Sequence, residues 1–239
     1  MKKLCDSALG RQLRNLEALK AMAFQFAYWF CSILFLESML RYSLGGTFGP
    51  RGIYVVLFST VAAGLLTVTV SFLPRRFQFP IMLVLSVVTV FIYGSQVVYK
   101  MIFGTLYAVS QMKMGGAAVT SFWKETIATI WENLGFILLL ALPVPVLIGM
   151  RICGKKYFSR GNMLYRILLL TAMVTVHVLA MQHMTNKGTG YFTDYYYYHA
   201  KDATTTQTAE RFGLITAFRL ELFGTKAPEA SKPVATEPA

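Results

Sequence analysis

Long uncharged stretches separated by short charged ones dominate the first 187 positions of the chain. Five stand out: Lys20 to Arg41, interrupted only by Glu37 near its end, Arg51 to Arg75, Arg76 to Lys100, Glu132 to Arg151, and Arg166 to Lys187. Each holds at least 16 uncharged residues in a row, near the roughly 20 that carry an α-helix across about 30 Å of hydrocarbon. A charged side chain at the centre of a bilayer costs on the order of 3 kcal/mol, so the charges mark where the chain leaves it. The pattern predicts an all-α integral membrane protein with five transmembrane helices, at about 21–40, 52–74, 77–99, 127–150 and 166–186.

Residues 1–20, with Lys2, Lys3, Arg11, Arg14 and Lys20, read as a cytosolic amphipathic lead into a signal anchor. The apolar run that follows is too long for the h-region of a cleaved signal peptide and has no A-x-A exit. Basic residues then set the orientation. Twelve fall on one side, in the lead, at Arg75 and Arg76, and at Arg151, Lys155, Lys156, Arg160 and Arg166; the opposite loops carry only Arg41, Arg51, Lys100, Lys113 and Lys124. The positive-inside rule puts the N-terminus in the cytosol and, after five crossings, Tyr191 onward outside, in a multi-pass protein of the plasma membrane.

Composition agrees: 55% of residues are hydrophobic, 14% are charged, and the mean hydropathy is +0.51. A net charge of +12 raises the question of nucleic acid, and its distribution answers it. Residues 1–186 hold 17 basic and 5 acidic residues, whereas 187–239 hold six of each. The excess therefore punctuates apolar runs, as topology signals and contacts to anionic phospholipid do, and no basic stripe follows a phosphate backbone, so no nucleic-acid partner is expected. Cys5, Cys31 and Cys153 lack the spacing of a metal site or redox pair. There is no G-x-S-x-G elbow, H-E-x-x-H pair, P-loop or internal repeat of the kind found in many transporters.

Within this frame a few residues carry chemistry. Trp123 and Trp131 lie within about 80° of each other on a helical wheel, after the Gly115–Gly116 break, and predict an outer interfacial helix leading into the fourth span. The alternative is the frayed outer end of that span. Pro143 and Pro145 predict a kink toward its cytosolic end. His177, midway along the fifth span with Thr171 and Thr175 nearby, is an intramembrane polar candidate. No apolar run supplies a central carboxylate for a proton relay, which favours a neutral histidine satisfied by a helix neighbour. Glu37 and Glu132 sit at expected outer ends, where hydration makes a carboxylate inexpensive.

Residues 187–224 form the outer segment. TNKGTG is an exit, and Tyr191 to Tyr198 pack six aromatics into eight positions. Tyr195 and Tyr196 suit a headgroup-level aromatic belt, with a stacking or sugar-binding platform as the alternative. Residues 208–223, TAERFGLITAFRLELF, predict a four-turn helix with Thr208 as N-cap, Glu210 in its first turn and Gly224 as the stop. Phe212, Ile215, Phe218, Leu222 and Phe223 cover an arc of about 140° that also contains Arg211 and Arg219. Two readings follow: a helix in the interface whose guanidiniums reach lipid phosphates, or arginines paired with carboxylates of a domain docked above. Thr204 to Thr206 and His199 could be cast as nucleophile and base, but an active threonine needs a metal or an organised base, and a spacer is the better reading. Residues 225–239, rich in Pro, Ala, Lys and Glu, read as a disordered linker.

Five spans with an outer C-terminus, a Tyr- and Thr-rich stretch and then RFGLITAFRLELFG resemble the membrane portion of the lipoteichoic acid synthase family of Gram-positive bacteria. That resemblance implies a phosphoglycerol transferase of the cell envelope, moving glycerol phosphate from phosphatidylglycerol to a growing polymer. It also implies a covalent threonine intermediate and a manganese-type divalent cation in an extracytoplasmic sulfatase-like domain. The layout matches over the whole chain, but only Phe212 to Gly224 is specific in sequence. No residue here matches the family's nucleophilic threonine or its metal-binding residues. The expectation is therefore an anchor and linker with no catalytic residue and no cofactor of its own. The alternative is a stand-alone polytopic scaffold, regulator or lipid-handling protein.

Overall fold

The computed structural model describes residues 2–46, 49, 52–109, 122–153, 162–200 and 203–223. The side chains of 2–14 and 153 lie outside that description, as do the Gly115–Gly116 break, the Lys155–Lys156 cluster, the Gly224 stop and the linker 225–239. The described residues are helical and contain no strand. In order they form α1 (Lys2–Ser43), α2 (Gly52–Ser71), α3 (Arg75–Phe103), α4 (Trp123–Glu132), α5 (Leu134–Leu140), α6 (Pro143–Cys153), α7 (Met163–Asn186), α8 (Asp194–His199), α9 (Thr205–Phe212) and α10 (Leu214–Phe223).

By length and composition four helices can cross a membrane: Asn15–Ser43 within α1, then α2, α3 and α7. A fifth crossing exists if Leu134–Leu140 and Pro143–Ile152, bent by 46°, count as one span. The protein thus has the make-up of a multi-pass, all-helical membrane protein. The polar lead is not separate from the first apolar run, because α1 continues through both. Its buried face runs through Met22, Gln25, Trp29, Ile33, Leu36 and Leu40, a stripe at helical spacing that faces the bundle.

The predicted fourth span, 127–150, is divided twice. Asn133 takes φ −111° and ψ 24°, and its side-chain amide donates to the Thr129 carbonyl at 3.0 Å. A short polar side chain competing for backbone in this way ends α4 and delays the span. The prolines make the second break as expected. Neither Pro143 nor Pro145 has an N–H, and Leu142 and Val144 instead donate to the carbonyls of Leu139 and Ala141, both at 3.0 Å. The chain turns there without orphaning those acceptors. Elsewhere, α2 and α7 approach closely at Gly64, where a Cβ would lie 2.2 Å from Met173 Sδ.

Two clusters fix the short helices. Leu36 and Leu40 of α1, Tyr93 and Val97 of α3 and Leu140 of α5 pack with Ala209, Leu214 and Ala217. Tyr54 and Phe58 of α2 pack with Ala180, Met184 and Phe212. Helices α8 to α10 therefore form a collar over one end of the bundle. A third cluster, with Trp29, Ala63, Val70, Met82 and Leu147, fills the bundle towards the other end.

Candidate functional site

The collar is seated by a carboxylate. Glu37 is 1% exposed, so the expectation of a hydrated carboxylate at a span end is wrong. The collar covers it and replaces water with protein donors. Tyr93 Oη donates to Glu37 Oε1 at 2.6 Å, and the Leu214 amide donates to the same oxygen at 2.7 Å. Leu214 opens α10, so Glu37 caps that helix from a distant part of the chain and meets its positive end. Arg41, one turn along α1, donates to the Glu210 carbonyl at the end of α9.

Gly213 is what allows this approach. It adopts φ 88° and ψ 159°, a region essentially restricted to glycine. A Cβ there would lie 2.7 Å from Glu37 Oε1. The single helix expected over 208–223 is thus two, divided at Gly213, and its N-cap is Thr204 rather than Thr208. Thr204 and Gln207 form a capping box, with Gln207 N–H donating to Thr204 Oγ1 at 3.3 Å and Thr204 N–H to Gln207 Oε1 at 3.1 Å. Thr208 lies buried inside α9.

The division at Gly213 turns the two arginines to different places. Arg211 pairs with Asp194 at 2.7 Å and stacks on the Tyr197 ring at 3.8 Å. Both residues belong to α8, which begins behind the Thr193 cap. Arg219 donates to Tyr198 Oη, with its guanidinium 5.6 Å from the Tyr198 ring centroid and 5.9 Å from that of Phe58. Burial raises the Tyr198 pKa, while the Arg219 charge and hydrogen bond act the other way; the phenol is neutral at physiological pH. Phe212 packs edge-on against Tyr54, Phe58 and Tyr198 with centroids 5.5 to 6.0 Å apart.

The remaining expected positions separate. Trp123 and Trp131 lie on α4, 52% and 75% exposed. Tyr195 packs on the α2–α7 cluster and on His199, and Tyr196 joins Tyr191 and Phe192. His177 sits between Phe58 and Tyr198 at 5.7 and 6.5 Å, and its buried Nδ1 has no hydrogen-bond partner among the described residues. The threonine run is structural: Thr204 caps α9, Thr205 donates to Glu221 at 2.5 Å, and Thr206 accepts from the Leu106 amide at 3.0 Å. His199 Nδ1 meets its own helix carbonyl at Tyr195, 2.9 Å away. Glu132 is exposed. Among the described residues no three His, Cys, Asp or Glu side chains gather as a metal site.

Sequence reasoning missed the Glu37–Tyr93–Gly213 junction. Its only trace was a carboxylate among apolar neighbours. Comparison with known protein families, curated proteins and solved structures finds no match for this chain.

Proposed function

We propose that this chain is the membrane-anchoring and linker portion of a lipoteichoic-acid-synthase-like phosphoglycerol transferase in the plasma membrane, N-terminus inside and C-terminus outside. Chemistry would belong to an extracytoplasmic sulfatase-like domain. The chain itself would hold and orient that domain over anionic phospholipid such as phosphatidylglycerol. The observation that carries this reading is the collar: the last described helix, α10, is tied to the first span through Glu37 and Leu214. An attached domain would thereby have a fixed exit point rather than a slack tether. The distribution of basic residues supports the orientation, since Arg75, Arg76, Arg151 and Arg166 lie at the helix ends opposite the collar.

A second reading, a stand-alone scaffold, regulator or lipid-handling protein, is favoured by one contact. Arg211 is satisfied by Asp194 within the collar and needs no docked domain to neutralise it. The reading frame past codon 239 separates the two. Continuation into a sulfatase-like domain with a candidate threonine nucleophile and metal ligands supports the anchor; a stop codon with no such frame downstream contradicts it.

A further inference from the structure

Around Arg219 donors converge and acceptors are missing. The guanidinium carries five N–H groups. Its polar contact is with Tyr198 Oη, and no carboxylate pairs with it among the described residues. Tyr198 Oη, having accepted from Arg219, keeps its own hydrogen to donate. His177 offers a ring nitrogen with no hydrogen-bond partner among the described residues. Phe58 walls the group, stacked on Tyr198 at 5.6 Å. Further along α7, His183 Nδ1 meets Tyr54 Oη at 3.0 Å, and Lys187 lies over the Tyr54 ring at 5.7 Å. Six residues of helical rise put His177 about 9 Å below His183. Lys187 and the two histidines thus lie along the part of α7 that packs against Tyr54 and Phe58 of α2.

No anion neutralises this guanidinium among the described residues, and an acceptor from beyond them would complete its hydrogen bonds. The flanks indicate its source. Val174 and Val178 of α7 are 62% and 45% exposed, and Leu222 and Phe223 at the end of α10 are 60% and 77% exposed. Apolar surface beside a fork of N–H donors suits a phosphate that carries acyl chains.

We propose that Arg219, Tyr198 and His177 form a binding site for the phosphate of an anionic membrane lipid, with its acyl chains along the exposed face of α7. The site rests on the reading of the collar as a segment at the membrane surface. It assigns no reaction to the lipid. Arg211, held by Asp194 and Tyr197, does not take part.

The test is retention of lipid by the purified full chain in detergent, counted by native mass spectrometry. The probes are dioctanoyl phosphatidylglycerol, dioctanoyl phosphatidylcholine and inorganic phosphate. The wild-type chain should hold phosphatidylglycerol in preference to phosphatidylcholine. Arg219→Gln should weaken that binding about tenfold or more, and Arg219→Lys, which keeps charge but loses the fork, should fall between. Val178→Trp fills the apolar flank without touching the arginine; it should weaken lipid binding and leave thermal unfolding unchanged, which keeps the test open if Arg219→Gln unfolds. Equal retention of the two lipids, or wild-type retention by Arg219→Gln or by Val178→Trp, would overturn the site. Displacement of phosphatidylglycerol by millimolar inorganic phosphate would overturn its assignment to a lipid. A stop codon after Ala239 bears on the anchoring reading alone and leaves this titration unaffected.

Discussion

At Gly213 a backbone conformation, a helix start and a buried carboxylate meet in one residue. The positive φ and extended ψ exclude other residues at a cost of about 1 to 3 kcal/mol before any clash. A Cβ would also strike Glu37. Gly213→Ala should therefore lower the thermal unfolding temperature clearly, and wild-type stability would show that the junction is not formed. Glu37 is tested by a graded series. Glu37→Ala orphans the Tyr93 hydroxyl and the Leu214 amide, both buried, and should cost about 3 kcal/mol. Glu37→Gln keeps an acceptor at Oε1 and should cost about 1 kcal/mol or less. If the two variants are equally destabilised in chemical denaturation, the carboxyl oxygen is not what seats α10. None of this was legible from sequence, because Glu37 and Leu214 are separated by 177 positions. Local pattern sees a glutamate near a span end; only the fold brings a helix N-terminus onto it.

At the scale of elements, periodicity carried most of the load. The apolar stretches became α1, α2, α3, the bent α5–α6 pair and α7, and the prolines bent the pair where the missing N–H groups required it. The outer helix was harder. A wheel drawn through 208–223 averages over Gly213, since one glycine costs a helix only about 1 kcal/mol and periodicity alone cannot tell a tolerated glycine from a break. The true start was written in the chain as Thr204-x-x-Gln207, a capping-box pattern that a Thr208 start overlooks. Thr204→Ala should cost about 1 kcal/mol, read as faster hydrogen exchange in α9. Unchanged exchange there would remove the cap from the description. Asn133 is a second local feature that the predicted span 127–150 passed over, since its amide ends α4 directly after Glu132.

At the scale of the molecule, a bundle of long apolar helices carries a collar at one end, and the proposed orientation puts that end outside the cell. Protease added to intact cells should then clip near Lys226 while Lys155 and Lys156 stay protected. Cleavage at the lysine pair with the tail untouched would invert the orientation. What makes the collar more than a set of surface helices is its attachment to α1, and hydrogen–deuterium exchange of the full chain in lipid nanodiscs measures that attachment directly. Peptides covering 205–223 should exchange slowly in the wild-type chain and about 100-fold faster in Glu37→Ala, matching the loss of about 3 kcal/mol, while peptides from α3 remain unchanged. Equal exchange of 205–223 in both proteins would contradict a collar seated on Glu37.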